Sequence, residues 1–316
     1  MLFNIYTYQF KPIYQTRTLF CDPDLEAEKA MKSKNLVFAK AIKESIFIYR
    51  NKKHNVQFII NANDFFIFRI SNPRKIKIEK SFQVSEEINE PSVFVIIYND
   101  KEVQRIAIQQ DISAFTDTNV VAQIIANSIR QTLQDSFLQI TIRKEFSRNE
   151  FWDIINENVN MITSVTFQFD YPNLPRVRSL ISDMLKDTSI KTRSNKTTLA
   201  FEAEKDKTLC IDENDIDMQE LNNGAADCGA QVSIGIKGFR KKLKTGHSNK
   251  EIELSELQII GNPEDIKEII KNIVLKNLIL NSQLKLIVFK AEFLFFFERY
   301  RFIFFSSSLF LARLTC

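Results

Sequence analysis

Polar and apolar positions alternate along most of the first half of the chain, and the spacing changes to three and four at only a few places. Strands are therefore expected to outnumber helices there. The opening run predicts a first strand that ends near Lys11-Pro12. Ala27, Ala30, Met31, Val37, Phe38, Ala41 and Ile42 predict helix between Leu25 and about Ile48, opened by Asp22-Pro23-Asp24 as a cap with first-turn acids. Asn55–Asn61 and Asp64–Ser71 predict a hairpin closed at Ala62-Asn63, and Ser92–Tyr98 with Val103–Gln109 a second one. Ile76 and Ile78 mark one more strand. Val120, Val121, Ile124, Ile125, Ile129 and Leu133 define one face of a helix capped by Asp117 or Thr118. Phe137–Arg143 predicts a strand, and Ser147-Arg148-Asn149-Glu150 a capping box opening a helix through Phe151, Trp152, Ile154 and Ile155.

Beyond Met161 the pattern resolves into an ordered series. Val165, Phe167 and Phe169 alternate on a half-buried strand, and Val177, Leu180, Ile181, Met184 and Leu185 form a helical face. Thr198–Ala203 and Thr208–Ile211 predict two strands. A helix begins at Asp212 or Asp215 and stops at Gly229, and Ala230–Ile236 alternate on a last strand. That order, β-α-β-β-α-β, is the split-βαβ or ferredoxin-like pattern. A basic loop, Arg240–Lys250, then leads to a strand Glu251–Ile260 and a helix capped by Asn262-Pro263, with Ile266, Ile269, Ile270 and Ile273 on one face. The expected fold class is α+β. A mixed α/β region over 1–160 precedes a ferredoxin-like region over 161–280, and a Phe-rich tail over 281–316 breaks the pattern and reads as a docked amphipathic helix, a membrane-surface segment or, favoured narrowly, a frame-shifted non-native extension. The tail's apolar runs are interrupted by Lys290, Glu292, Glu298, Arg299, Arg301 and Arg313, so no transmembrane segment is expected.

Composition narrows the chemistry. All six glycines lie between Gly224 and Gly261, and no G-x-G-x-x-G, P-loop or G-x-S-x-G pattern occurs, so no nucleotide cofactor is expected. Cys21, Cys210, Cys228 and Cys316 are widely spaced and His54 and His247 are the only histidines, so neither zinc, a disulfide framework nor a Cys–His nucleophile is suggested. Both histidines read as surface residues. The net charge of +4 is too small to announce a nucleic-acid binder by itself, which makes any basic surface local.

One such surface is legible. Arg240, Lys241, Lys242, Lys244 and Lys250 surround Gly246 and His247 on a loop between strands, and could grip phosphates, together with Arg143, Lys144 or Arg148 should the fold bring them near. A solvated hairpin tip explains the same run, so charge alone identifies nothing. The acids Asp212-Glu213-Asn214-Asp215-Ile216-Asp217 fail EF-hand spacing and are accounted for by helix capping. A metal-dependent nuclease would need further acids, such as Asp170 or Glu202, to converge on them. The strand ending Phe169-Asp170-Tyr171-Pro172-Asn173, the helix Asp217–Cys228 with Asn223-Gly224, and the strand Val232–Gly238 resemble, over about Ile88–Ile260, an uncharacterised bacterial family met near mobile elements and phage-defence genes. The resemblance implies a bacterial cytoplasmic setting and a defence context, and carries no catalytic residues. The leading expectation is a non-enzymatic cytoplasmic protein whose partner is nucleic acid or another protein. The alternatives are the nuclease just described and a structural subunit docking through its apolar tail.

Overall fold

The computed structural model describes residues 1–14, 22–101, 103–170 and 196–256, with a few single positions elsewhere. The expected helices at 177–185 and 266–273 and the Phe-rich tail lie outside the described residues. The chain divides into two compact units, Met1–Gly261 and Asn262–Cys316. The first is a mixed α+β structure built on antiparallel strands.

In chain order this first unit contains β1 (Leu2–Pro12), α1 (Pro23–Glu44), β2 (Ile48–Tyr49), β3 (Lys52–Lys53), β4 (Val56–Asn61), β5 (Phe65–Ser71), β6 (Arg74–Lys80), β7 (Gln83–Asn89), β8 (Ser92–Asn99), β9 (Gln104–Gln109) and α2 (Thr118–Asp135). Then come β10 (Leu138–Lys144), α3 (Asn149–Glu157), β11 (Ile162–Asp170), β12 (Lys196–Glu202), α4 (Ile216–Asp227), β13 (Val232–Ile236), β14 (Leu243–Lys244) and β15 (Glu251–Glu253).

The larger sheet runs β10-β1-β9-β8-β5-β4. Side chains at period two send Tyr6, Tyr8, Phe10, Phe66, Phe68, Val95, Ile97, Ile106 and Ile108 into one core with Phe38 and Ile42 of α1 and Val121, Ile124, Ile125 and Ile129 of α2. Both helices are capped as their sequences dictate. The Asp22 carboxylate accepts from the Asp24 N–H with Pro23 in the first turn, and Asp117 accepts from the Asn119 N–H, a contribution of about 1 kcal/mol for each cap. Thr118 instead turns inward, its hydroxyl 2.7 Å from the Tyr6 hydroxyl and 2.8 Å from Asn4 Nδ2.

One edge of β1 is shared by two distant segments. β10 pairs with its C-terminal half up to Tyr6↔Lys144, and β15 with its N-terminal end from Asn4↔Glu251. They meet at Ile5, whose carbonyl accepts from Glu145 N–H (2.8 Å) and whose N–H donates to Lys250 (3.1 Å), while Lys250 N–H donates to Glu145 (3.0 Å). A strand from the expected second region thus completes the sheet of the first. It is also shorter than expected, three residues rather than Glu251–Ile260.

The smaller sheet runs β12-β11-β13-β14. Val165, Phe167, Phe169, Val232, Ile234 and Ile236 face a second core with Phe151, Trp152 and Ile155 of α3, Leu221 and Ala225 of α4, and Cys228 just past its end. The split-βαβ arrangement needs its first two strands parallel with another strand between them. Here β11 and β12 are antiparallel neighbours, Val165 opposite Phe201, and Thr208–Ile211 joins no ladder, its Leu209 N–H donating to Ile162 instead. The pairing therefore departs from the ferredoxin-like order expected for this region.

Candidate functional site

A cleft of about 930 Å³ opens inside this unit, along the edge strand β10. One wall is the polar side of α2, with Asn119 and Gln123, and the end of β10, with Ile142, Arg143 and Lys144. The facing surface belongs to the smaller sheet. Gln168 of β11 and Ser233 of β13 alternate with the residues of the second core, and Lys244 of β14 stands opposite Ser233, so all three lie on its opposite, polar face. Arg50 closes a third side. It sits in the turn between β2 and β3, where Arg50 and Asn51 both have positive φ. That hairpin is fixed on α2 by Tyr49 Oη donating to Gln123 (2.6 Å) and by Ile48 N–H donating to Ser128 Oγ (3.1 Å).

Gly229 sets the closeness of the two halves. Its φ is +67°, and a Cβ there would stand 2.5 Å from the Lys144 carbonyl oxygen and 2.8 Å from Arg143 Cβ. Only a residue without a side chain lets the end of α4 lie on the cationic stretch of β10. This is the helix-terminating glycine expected from sequence, with a second duty.

The cleft is electropositive. Among the described residues, Arg50, Arg143, Lys144 and Lys244 line it against a single carboxylate, Asp117. Lys144 Nζ stands 3.5 Å from Asp117 and 5.6 Å from the centre of the Tyr6 ring. Although burial alone would raise it, the N–H and side chain of Asn119 and the charge of Lys144 hold the Asp117 carboxyl below its ordinary range. Burial pushes the Tyr6 phenol well above its ordinary value, so it stays a neutral donor.

The cations marked by the sequence divide. Lys244 lines the cleft, and Arg240, Lys241 and Lys242 are exposed along the same β13–β14 hairpin leading away from it. Of the cations singled out as possible company, Arg143 and Lys144 share the cleft with Lys244. Lys250 does not join this set. Its side chain is 15% exposed, and its ammonium lies 2.9 Å from Glu145 Oε2 and 3.5 Å from Asp227 Oδ1. Arg148 pairs with Asp227 at 2.7 Å, and Arg105 pairs with Glu145, which is fully buried. Burial, reinforced by the charges of Arg105 and Arg148, pushes Lys250 down to about 8 despite Asp227. Burial would raise Asp227, but Lys250, Arg148 and Arg105 together hold it low. This ion cluster gathers at the Ile5 junction of β10 and β15 and ties the end of α4 to the larger sheet.

Compared with known proteins, the chain matches no family model and no curated sequence.

The acidic run serves helix geometry. Asp215 caps α4 by accepting from Asp217 and Met218 N–H, and Asp212 accepts from Asn214 N–H at 2.9 Å. Among the described residues no group of three or more His, Cys, Asp or Glu side chains is placed to hold a metal ion. Nor, among them, is any helix long and apolar enough to cross a membrane.

Two residues behave differently from their sequence reading. His54 is buried, not at the surface: its Nδ1 is 3.0 Å from the Ser71 carbonyl oxygen and its ring lies near Phe115. Glu150 closes no capping box. α3 has no side-chain cap, and the Glu150 carboxylate instead accepts from Gly246 N–H (2.8 Å), His247 N–H (3.0 Å) and Ser248 N–H (3.1 Å). Three N–H groups hold the carboxylate more strongly than the single N-cap N–H that a capping box would offer. The result pins the loop after β14 beside the cleft.

Proposed function

We propose that this chain is a binding protein for nucleic acid, and that phosphates are held in the cleft by Arg143, Lys144, Lys244 and Arg50 and along the hairpin by Arg240, Lys241 and Lys242. The observation that carries this reading is the convergence of four cations from three separate elements on one cleft that, among the described residues, contains a single carboxylate. Charge clustered in this way concentrates an anionic ligand far more than the net charge of +4 would. Gln168, Ser233, Gln123 and Asn119 add neutral donors and acceptors for sugars or base edges. Lys250 has no part in the contact, since it does not line the cleft and its ammonium lies inside the ion cluster. The proposed place of action is the cytoplasm, where thiols such as those of Cys210 and Cys228 stay reduced. A defence role rests on the family resemblance alone.

A titration of labelled nucleic acid across salt concentrations tests the reading. Binding is expected to weaken steeply with salt. Neutralising Arg143, Lys144 and Lys244 together is expected to lower the slope of log K against log salt by about 0.7 (single strand) to 0.9 (duplex) for every phosphate that no longer meets a cation. An unchanged affinity and slope in that variant would remove the proposal.

A further inference from the structure

Resting on that reading, we infer that the nucleic acid taken by this site is single-stranded, with Phe239 as the platform on which an unpaired base stacks. Three observations lead there.

The first is the shape of the cleft. At about 930 Å³ it lies at the upper end of what small ligands fill, roughly 300–1,000 Å³. A duplex can be gripped from outside, but it cannot be taken into such a space. A few splayed nucleotides can, and the cations line the inside of the cleft.

The second is Phe239. It is 62% exposed, and it follows Gly238, whose φ of +87° suits the turn closed by Phe239 N–H donating to Ile236 (3.1 Å). Lys237, Arg240, Lys241 and Lys242 flank it, all exposed. An aromatic ring held out by a turn among cations is the chemistry of a stacking platform beside a phosphate track. Lys244 comes five positions after Phe239, at most about 17 Å of extended chain, so one strand could span both.

The third concerns elements that could enter a duplex groove. Groove readers are helices or two-stranded ribbons. Among the described residues, the cationic stretch 240–244 is no helix, and only Leu243–Lys244 pairs with β13, so Arg240, Lys241 and Lys242 form no two-stranded ribbon either. The β6–β7 ribbon bears Arg74, Lys75, Lys77 and Lys80 on one strand, but Glu86 and Glu87 on the other, opposite Lys77 and Ile76. Inserted in a groove, those two carboxylates would approach phosphates.

The test uses the full chain and fluorescence anisotropy with oligothymidylate and oligouridylate about twelve nucleotides long and a duplex of the same length. Single strands are expected to bind at least about tenfold tighter than duplex, and the ratio of the two single strands identifies DNA or RNA as the preferred source. Phe239→Ala is expected to weaken single-strand binding roughly 5- to 150-fold, the range of one missing stack, with an unchanged salt slope because the ring carries no charge. Phe239→Trp is expected to restore affinity, with indole fluorescence quenched by the stacked base. Equal binding of duplex and single strand together with no effect of Phe239→Ala would overturn this inference and leave the phosphate-binding reading standing. No binding of any probe at low salt would remove both.

Discussion

His54 is 5% exposed, with one ring nitrogen against the Ser71 carbonyl oxygen. Burial, outweighing that hydrogen bond, lowers its tendency to take a proton. The unfolded chain, protonating near 6.5, therefore binds more protons than the folded one between that value and the lowered native one. Stability is expected to fall as pH drops through 6.5 toward the lowered native value. His54→Gln keeps a donor for Ser71 and does not titrate, so thermal melts of that variant are expected to show a shallower fall over the same window. No local pattern marks this residue for burial. It follows Arg50-Asn51-Lys52-Lys53, which reads as a polar turn, and the turn is real. The chain simply re-enters the fold one residue after it, where His54 N–H donates to Phe47.

At the scale of elements, the loop 246–248 depends on a helix it does not belong to. Burial would raise the Glu150 carboxyl, but the three N–H groups of Gly246, Ser248 and His247 keep it low, so its contribution is present above about 4.5 and lost as pH falls through the lowered value. Glu150→Ala is expected to speed amide hydrogen exchange of Gly246, His247 and Ser248 about tenfold or more at neutral pH, with β11 and β13 unaffected. The wild type should show the same loosening only in acid. Elements whose chemistry is local were legible: α2 from its apolar period and Asp117, α1 from Asp22-Pro23, the end of α4 from Gly229. Those decided by distant partners were not. β7 is exposed along its whole length and gives no alternation, and its turn is made by Ser81 and Phe82 at positive φ rather than by Asn-Gly. Glu150 fits a capping box by spacing, yet its acceptors were claimed by a segment nearly a hundred residues away. Lys250 stood in the basic run by sequence, whereas strand pairing at Ile5 turned it inward.

For the molecule as a whole, the ion cluster links the layers. Arg105 lies on the larger sheet, and Glu145 and Lys250 at the junction on its edge. Asp227 ends α4, and Arg148 precedes α3. A buried cluster of this kind loses little when a surplus charge leaves and much when a shared counter-charge does, on the order of 3–5 kcal/mol for a broken pair. Glu145→Gln takes away the carboxylate used by both Arg105 and Lys250. It is therefore expected to lower the denaturation midpoint far more than Lys250→Met, which leaves Glu145 with Arg105 and Asp227 with Arg148. Lys250 gives a second signature. Its native value near 8 lies below its unfolded 10.5, so the folded state sheds its proton first and stability is expected to rise as pH climbs from about 8 to 10.5. Lys250→Met should remove that rise in urea titrations.

The divided edge of β1 also sets an order of events at the ribosome. The first strand made can pair with β10 once residue 144 has emerged, but the stretch beyond Ile5 waits for residues 251–253. At cellular rates of synthesis that wait lasts on the order of ten seconds. Until then a nascent chain presents an open hydrogen-bonding edge beside Phe3 and Ile5, the kind of template on which neighbouring polypeptides aggregate. Translation speed across codons 145–253, rather than the stability of the finished molecule, would then govern how much of this protein reaches its native state.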